Sequence, residues 1–390
     1  MQLDTRLPIG LLLVGATLLM PSLSEAQKAP SKGEYFVYFG TYTGPNSKGI
    51  YVSRYDAKTG KLGPATLAAE IVRPSFLALH PNGRFLYSVS ELGNNGEAKG
   101  SVTSYAIDFQ NGSLKALNTV SSGGGGACHL VVDKTGKMLM VANYGTGSAA
   151  SFPVNADGSL GAMTSLMQHS GSSVNPQRQR GPHAHAVVLS ADNRFLFVPD
   201  LGLDQIRIYK IDPAKASLTP NTPEFATVKP GTGPRHFAFH PNGKFAYALG
   251  EMGSSVTVFS YDSAAGSLTE LQNISTLPAD FKGVDNSAEI EVDHAGRFLY
   301  ASNRGHDSIT VFAIDPKKGT LTTVQNVSTE GKTPRNFNID PTGHFLLAAN
   351  ENSNNVVVFK VDQKTGHLTS TGEKIDVTEP VCVLYVPVGK

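Results

Sequence analysis

Short apolar runs separated by turn-forming polar residues recur along most of the chain. Residues 231–251 show the unit: His236-Phe237-Ala238-Phe239 and Phe245-Ala246-Tyr247-Ala248-Leu249 enclose Pro241-Asn242-Gly243. Two apolar runs of strand length around such a turn predict an antiparallel hairpin of buried strands. Similar hairpins are expected at 75–91, 128–144, 185–201, 288–304 and 335–351. After each comes a third run ending in Asp or Asn, then a turn, a Leu and a weaker fourth run. Those turns begin at Asp56, Asp108, Asn155, Asp212, Asp262, Asp315 and Asp362, at intervals of 52, 47, 57, 50, 53 and 47 residues. The leading Asp or Asn bonds the turn's own backbone, and Gly supplies a positive φ.

A repeat of about 50 residues with four strands predicts an all-β fold, a β-propeller of four-stranded antiparallel blades. Seven turns against six internal hairpins locate the closure. Residues 35–41 match a second strand with no first strand before it, and 381–386 match a first strand with nothing after it. The C-terminal strand is therefore expected to complete the N-terminal blade, giving seven blades and leaving no free edge. A six-bladed ring with a loose hairpin is the alternative. One propeller is expected over 35–390, after a flexible start at 27–34. The longest insertion, 168–182, falls between the second and third blades. The chain has no Trp, which argues against the WD type of repeat.

Composition changes this picture at three points. With 390 residues, 17% of them charged, and a formal net charge of +1, no global field favours nucleic acid or an anionic membrane, so attraction for an anion must be local. Residues 1–26 carry Arg6, a Leu-rich run over 7–23 and Ser24-Glu25-Ala26. That pattern predicts a secretory leader and a periplasmic or secreted protein. No later run is long and apolar enough to span a bilayer. Cys128 and Cys382 both fall in first strands of units that are not neighbours, so free buried thiols are expected.

In a propeller the first strand of each blade lines the channel, and its start shares a face with the end of the second strand. Second strands end at Thr41, Glu91, Tyr144, Leu201, Glu251, Arg304 and Glu351. First strands start at Ser75, Cys128, His185, Arg235, Ala288, Arg335 and Val381, with His183, His236 and Glu289 beside them. A purely structural repeat tends to fill equivalent positions alike, whereas these differ blade by blade. Arg178 and Arg180 lie in the insertion just before, and His306 follows Arg304 on the same face. His80, His240, His294 and His344 sit at the opposite turns and read as turn stabilisers. His183 and His185 alternate on one strand face, but no metal cage is evident and no metal or cofactor is expected. There is no phosphate-cradling loop and no Gly-x-Ser-x-Gly nucleophile elbow.

The segments RQRGPHAH (178–185), GPRHFAFHPNGKFAYALGE (233–251), AEIEVDHAGRFLYASNRGHDSI (288–309), TPRNFNIDPTGHFLLAANENSNNVVVF (333–359) and GACHLVVDKTGKMLMVANYGTGS (126–148) together resemble the seven-bladed propeller lactonase family. That family includes bacterial 6-phosphogluconolactonases of the propeller type and fungal carboxy-cis,cis-muconate lactonizing enzymes. The resemblance implies a His, two Arg and a Glu as the catalytic set, falling on His183 or His185, Arg235, Glu251 and Arg304.

The expected activity is hydrolysis of a small anionic sugar lactone, 6-phosphogluconolactonase-like. Glu251 or His183 is the expected base, and Arg235 the stabiliser of the oxyanion. Arg304 and Arg178 are expected to grip an anionic group, with His236, Glu289, Arg335 and Glu91 as further substrate contacts. An exported binding propeller without catalysis is the competing reading, and a muconate-type cyclase the third.

Overall fold

The computed structural model describes Met1 and residues 33–388. The leader expected over 1–26 and most of the start expected over 27–34 lie outside the described residues. The rest forms seven antiparallel sheets in a ring. Six blades are contiguous in sequence, and we number them 1 to 6 from their first strands at Leu77–Leu79, Ala127–Val132, Val188–Leu189, Pro234–Phe239, Ser287–Val292 and Pro334–Ile339. The seventh is the seam blade, in which Pro380–Pro387 pairs with Glu34–Thr41, which pairs in turn with Gly49–Asp56. Its fourth strand is split into Lys61–Leu62 and Thr66–Glu70, both on Gly49–Asp56. The strand-level closure expected from the sequence is present, and the six-bladed alternative is not.

Every residue of the six internal second strands is buried, from Phe85–Ser90 to Phe345–Asn350. Both faces of these strands meet neighbouring blades, which is why they read as unbroken apolar runs rather than alternating ones. The core lies between blades: Phe85, Tyr87 and Val89 of blade 1 pack with Leu130, Leu139 and Phe152 of blade 2.

The fourth-strand turns fix the spacing of the blades. Gly158 of blade 2, at φ +86, sits on the Phe85 ring of blade 1, where a Cβ would come within 2.4 Å of ring carbons. Tyr87 donates its hydroxyl to the carbonyl of Gly158 at 3.0 Å, and Tyr247 does the same for Gly319 at 3.1 Å. Blade 3 departs from this pattern. Its turn carries Ala216 at φ 51, and Met138 stands in blade 2 where the others have Phe. Ala216 and Met138 share one core cluster, and a flexible thioether yields to a methyl group where a ring would not.

His80 and His240 are turn stabilisers, as expected. Each Nδ1 accepts from the turn backbone, Asn82 N at 3.1 Å and Asn242 N at 3.0 Å. Each Nε2 then donates to the next blade's turn, Gly136 O at 2.9 Å and Gly296 O at 2.7 Å. His294 reaches Asp340 O at 3.0 Å. Cys128 and Cys382 are free and buried. Among the described residues no helix is long and apolar enough to cross a membrane.

Candidate active site

One local irregularity aims the side chains at the mouth of the channel. Blades 2, 4 and 6 each insert one extra residue at the start of the first strand. The register jumps from Pro234↔Gly250 to His236↔Leu249, from Pro334↔Asn350 to Asn336↔Ala349, and from Ala127↔Asn143 to His129↔Ala142. The unpaired residues are Arg235, Arg335 and Cys128. A bulge turns the extra side chain out of the pleat, so a repeated backbone defect offers a position whose chemistry can change without disturbing the ladder.

Glu251, at the end of the second strand of blade 4, is the hub. Its Oε2 accepts from Arg235 Nε and pairs with Arg304 Nη2, both at 3.1 Å, while its Oε1 accepts from Arg178 Nη2 at 2.7 Å. Arg235 also donates Nη1 to Ala288 O at 2.6 Å, and Arg304 donates Nε to Asn286 O at 3.0 Å. Arg178 gives its Nη2 to the Tyr144 hydroxyl at 3.2 Å as well. Three guanidinium groups from two blades and the 168–182 insertion are thus locked on one carboxylate. Among the described residues Arg235 Nη2, Arg304 Nη1 and Arg178 Nη1 have no hydrogen-bond partner.

The electrostatics follow from this packing. Burial alone raises the Glu251 pKa, but Arg304, Arg235 and Arg178 outweigh it and hold the carboxyl at about 2. A carboxylate so stabilised is a poor proton acceptor near neutral pH. Its contacts with Arg235, Arg304 and Arg178 fit a group that holds cations in place better than the base also expected of it. Arg235 is pushed down to about 10 by burial and by Arg335 and Arg304, and remains charged at neutral pH.

His183 has the geometry of a base. Its Nδ1 lies 2.9 Å from the Tyr144 carbonyl, which only accepts, so Nδ1 carries a hydrogen and Nε2 is the nitrogen left without a protein partner. The ring stacks on Tyr144 at 4.6 Å, beside the hydroxyl that holds Arg178. Asp200 fixes the backbone here: its Oδ1 accepts His183 N–H at 2.7 Å, and its Oδ2 meets buried His169 Nδ1 at 2.6 Å.

His185, the other candidate histidine, is 5% exposed and lies 5.4 Å from both the Tyr144 and His236 rings. Burial, with Arg235 and His236, drives its pKa well below the ordinary value.

His236 and Glu289 form a buried pair, Nδ1 to Oε1 at 2.8 Å. Glu289 also accepts from Ile290 N at 3.0 Å and from Asn336 Nδ2. His129 meets His236 edge-on at 5.3 Å and stacks on Phe76 at 3.9 Å. Glu289 is thereby engaged by three protein partners, whereas His236 uses only Nδ1, so the pair expected to contact substrate forms a buried polar floor in which His236 Nε2 has no partner among the described residues. Burial raises the Glu289 pKa to about 7 despite Arg235.

Glu91 is likewise engaged, accepting from Tyr42 Oη and Asn94 Nδ2, both at 3.0 Å. Arg335 lies 5.1 Å over the Tyr42 ring, and Arg73 lies 4.2 Å over it. His306 bonds Ser308 Oγ at 2.7 Å through Nδ1. No cluster of His, Cys, Asp and Glu suited to a metal occurs among the described residues.

Sequence reasoning passed over Tyr42, Arg73, His129, and the His169–Asp200 pair. Arg73 and Tyr42 lie in inter-strand loops outside the repeating hairpin, where the pattern carries no signal. The alternation in blade 2 does place His129 toward the channel.

A closed seven-bladed ring, with three arginines held on one glutamate at the channel mouth and a histidine nearby, defines the class: a β-propeller with a charged site on one face. The comparisons with known proteins are specific. Residues 36–385 match the family described as Lactonase, 7-bladed beta-propeller, and the chain belongs to that family. It is 38% identical over 304 residues to a 6-phosphogluconolactonase of Bacillus subtilis, covering 78% of this chain and 84% of that one. Among solved structures, a periplasmic gluconolactonase of Pseudomonas aeruginosa superposes with a TM-score of 0.86 at 36% identity, over 91% of this chain and all of that one. A putative 6-phosphogluconolactonase of Bacteroides fragilis gives 0.85 at 38% identity, over 92% and 100%.

Proposed function

We propose that this protein hydrolyses a sugar lactone at the mouth of its channel, as a 6-phosphogluconolactonase-like enzyme. The observation that carries the reading is the Glu251 hub, which orients three guanidinium groups while leaving Nη donors of each unused. Beside it, His183 commits Nδ1 to the Tyr144 carbonyl and leaves Nε2 as the ring's available nitrogen.

In the proposed reaction His183 Nε2 takes a proton from water as the water oxygen adds to the lactone carbonyl. Negative charge develops on the carbonyl oxygen, and Arg235 Nη2 is the assigned donor to it. Its buried, fixed cation acts there with little water to screen it. The ring C–O bond then breaks as the carbonyl re-forms, and the departing oxygen takes the proton back from His183. One water is consumed, and the hydroxy acid formed releases a proton at neutral pH. Glu251 holds Arg235, Arg304 and Arg178 in register throughout. His185 is assigned to packing beneath His183.

Export supports the same picture from a different side. The leader pattern of residues 1–26 agrees with the relative in Pseudomonas aeruginosa that is described as periplasmic.

The test is acid release in a pH-stat from glucono-1,5-lactone and its 6-phosphate. The wild type is expected to exceed the buffer rate on at least one, and His183→Gln to lower kcat by about 10²–10⁴, the usual contribution of a general base. A wild type no faster than buffer on both lactones, with ligand still bound, identifies a binding propeller instead.

A further inference from the structure

The 168–182 insertion delivers two groups to the mouth, Arg178 within it and His183 just after it. The strand ladder of blade 3 does little to place them. First strands in blades 2, 4, 5 and 6 have six residues each, whereas that of blade 3 has two, Val188–Leu189. The His183 N–H is held by a side chain instead. Asp200, the last residue of the second strand, is fully buried. Its Oδ1 accepts from His183 N at 2.7 Å and from Gly202 N at 3.0 Å, while its Oδ2 meets His169 Nδ1 at 2.6 Å. His169 lies at the start of the insertion and His183 follows its end, so one carboxylate clasps both ends of the loop. The loop is also packed on itself. Gln179, fully buried, accepts from Asn175 N at 3.0 Å and donates Nε2 to Leu201 O at 2.8 Å. A compact loop with joined ends holds its shape as a unit.

The other blades show what the ring uses at this position when only the fold is at stake. Blades 2, 5 and 6 end their second strands with Asn143, Asn303 and Asn350. Their Nδ2 groups donate to Ser122 O at 3.0 Å, Thr276 O at 3.1 Å and Thr329 O at 3.1 Å. Each acceptor is the first residue after the preceding blade's fourth strand, and His169 is its counterpart in blade 3. Here the amide is replaced by a carboxylate, and the backbone carbonyl by an imidazole. A buried carboxylate costs more to desolvate than an amide. His169 adds a further cost, because its buried Nε2 has no hydrogen-bond partner among the described residues. The exchange gains a second acceptor oxygen, which an amide lacks. Oδ1 serves His183 and Gly202 while Oδ2 serves His169, and this arrangement occurs in the blade that carries the insertion.

We propose that Asp200, braced by His169, is a positioning residue of the site: it clasps the two ends of the insertion so that Arg178 and His183 arrive at the channel mouth together. The inference rests on the lactonase reading of that face, and adds to it two residues that act through others.

The experiment measures kcat on the lactone that the wild type hydrolyses, beside hydrogen–deuterium exchange over residues 169–185. Asp200→Ala is expected to lower kcat about 10²-fold, the cost of a slightly misplaced reacting group, and to speed exchange across the insertion. In a His183→Gln background the same change should cost less than about tenfold, because the group it places is already gone. Asp200→Asn restores the residue the ring uses in blades 2, 5 and 6 and keeps an oxygen for His183 N–H. It should fold as the wild type does and keep kcat within about tenfold of it. Should Asp200→Ala not fold, His169→Leu carries the test. It removes the partner of Oδ2, keeps the bulk, and should speed exchange at the start of the insertion while lowering kcat.

An equal fall in both backgrounds, a loss in Asp200→Asn as deep as in Asp200→Ala, or unchanged exchange in Asp200→Ala or His169→Leu overturns the clasp. Exchange separates this inference from the lactonase reading. If the wild type hydrolyses neither glucono-1,5-lactone nor its 6-phosphate, yet the insertion loosens as expected, the clasp stands and the activity falls. If the wild type is active and neither turnover nor exchange responds, the clasp falls and the activity stands.

Discussion

Replacing Glu251 by Gln tests the hub directly. Gln keeps the shape and removes the charge that three guanidinium groups share. The Glu251 carboxyl stands at about 2 against an ordinary value of 4.5. A depression of that size corresponds to roughly 3 kcal/mol, at 1.36 kcal/mol per pKa unit. Side-chain exposure of 8% leaves little solvent to screen it, and breaking a buried ion pair typically costs about 3–5 kcal/mol. Because the folded-state pKa is depressed, this stability is present above the unfolded-state value and lost as pH falls through the folded one. Urea unfolding of wild type and Glu251→Gln, followed by circular dichroism from pH 7 to pH 3, reads the difference. The gap should be about 3 kcal/mol at pH 6–7 and narrow steadily below about pH 4.5. In the same preparations kcat should fall about 10²–10³-fold, the cost of a misplaced oxyanion donor. The acidic limb of the remaining pH profile should stay where it was, since the proposed reaction takes its base from His183 and not from the hub carboxylate. A gap below about 1 kcal/mol at neutral pH, or one that does not change with pH, refutes the reasoning.

Three further outcomes are expected. Glu289 has a pKa raised from 4.5 to about 7 by burial, so its proton stabilises the fold fully below about pH 4.5 and is lost as pH rises through about 7. Wild type should therefore lose roughly 3 kcal/mol relative to Glu289→Gln between pH 4 and pH 8, read by unfolding titrations at each pH. Cys128 and Cys382 are buried, with burial pushing both thiols up, Cys382 to about 12. Neither should react with a disulfide reagent at pH 8 in the folded protein, and both should react once it is unfolded. His240→Ala loses one inter-blade and one turn hydrogen bond. It should cost about 1–3 kcal/mol of stability while leaving kcat/KM within twofold.

The ring was legible because its instructions are local and repeated. Asp108, Asp262 and Asp362 open turns that close on Gly112, Gly266 and Gly366, and each turn announces a blade without reference to the others. The seam was legible by subtraction, since 35–41 and 381–386 each lack the partner that every internal hairpin has. Arg235, Glu251 and Arg304 were legible for the same reason, occupying equivalent positions with unlike chemistry. Their roles were harder to read. Glu251 looks like a base until three cations are found on its two oxygens, and those contacts join residues up to 73 positions apart. Glu289 and His236 were placed on the correct face, but pattern alone does not separate a rim from a floor. Arg73 and Tyr42 were missed because loops obey no period.

The strand Pro380–Pro387 supplies the inner edge of the blade begun by Glu34–Thr41, and this orders events in time. Tyr35 pairs with Pro387 and Phe39 with Val383, so the earliest strand of the ring waits for the latest. At a synthesis rate of about 5–20 residues per second, that wait lasts roughly 20–70 s. Throughout it the nascent ring presents one bare strand edge and one unfilled gap. Loss of the final eight strand residues would accordingly keep the ring from ever closing, however well the other six blades are made.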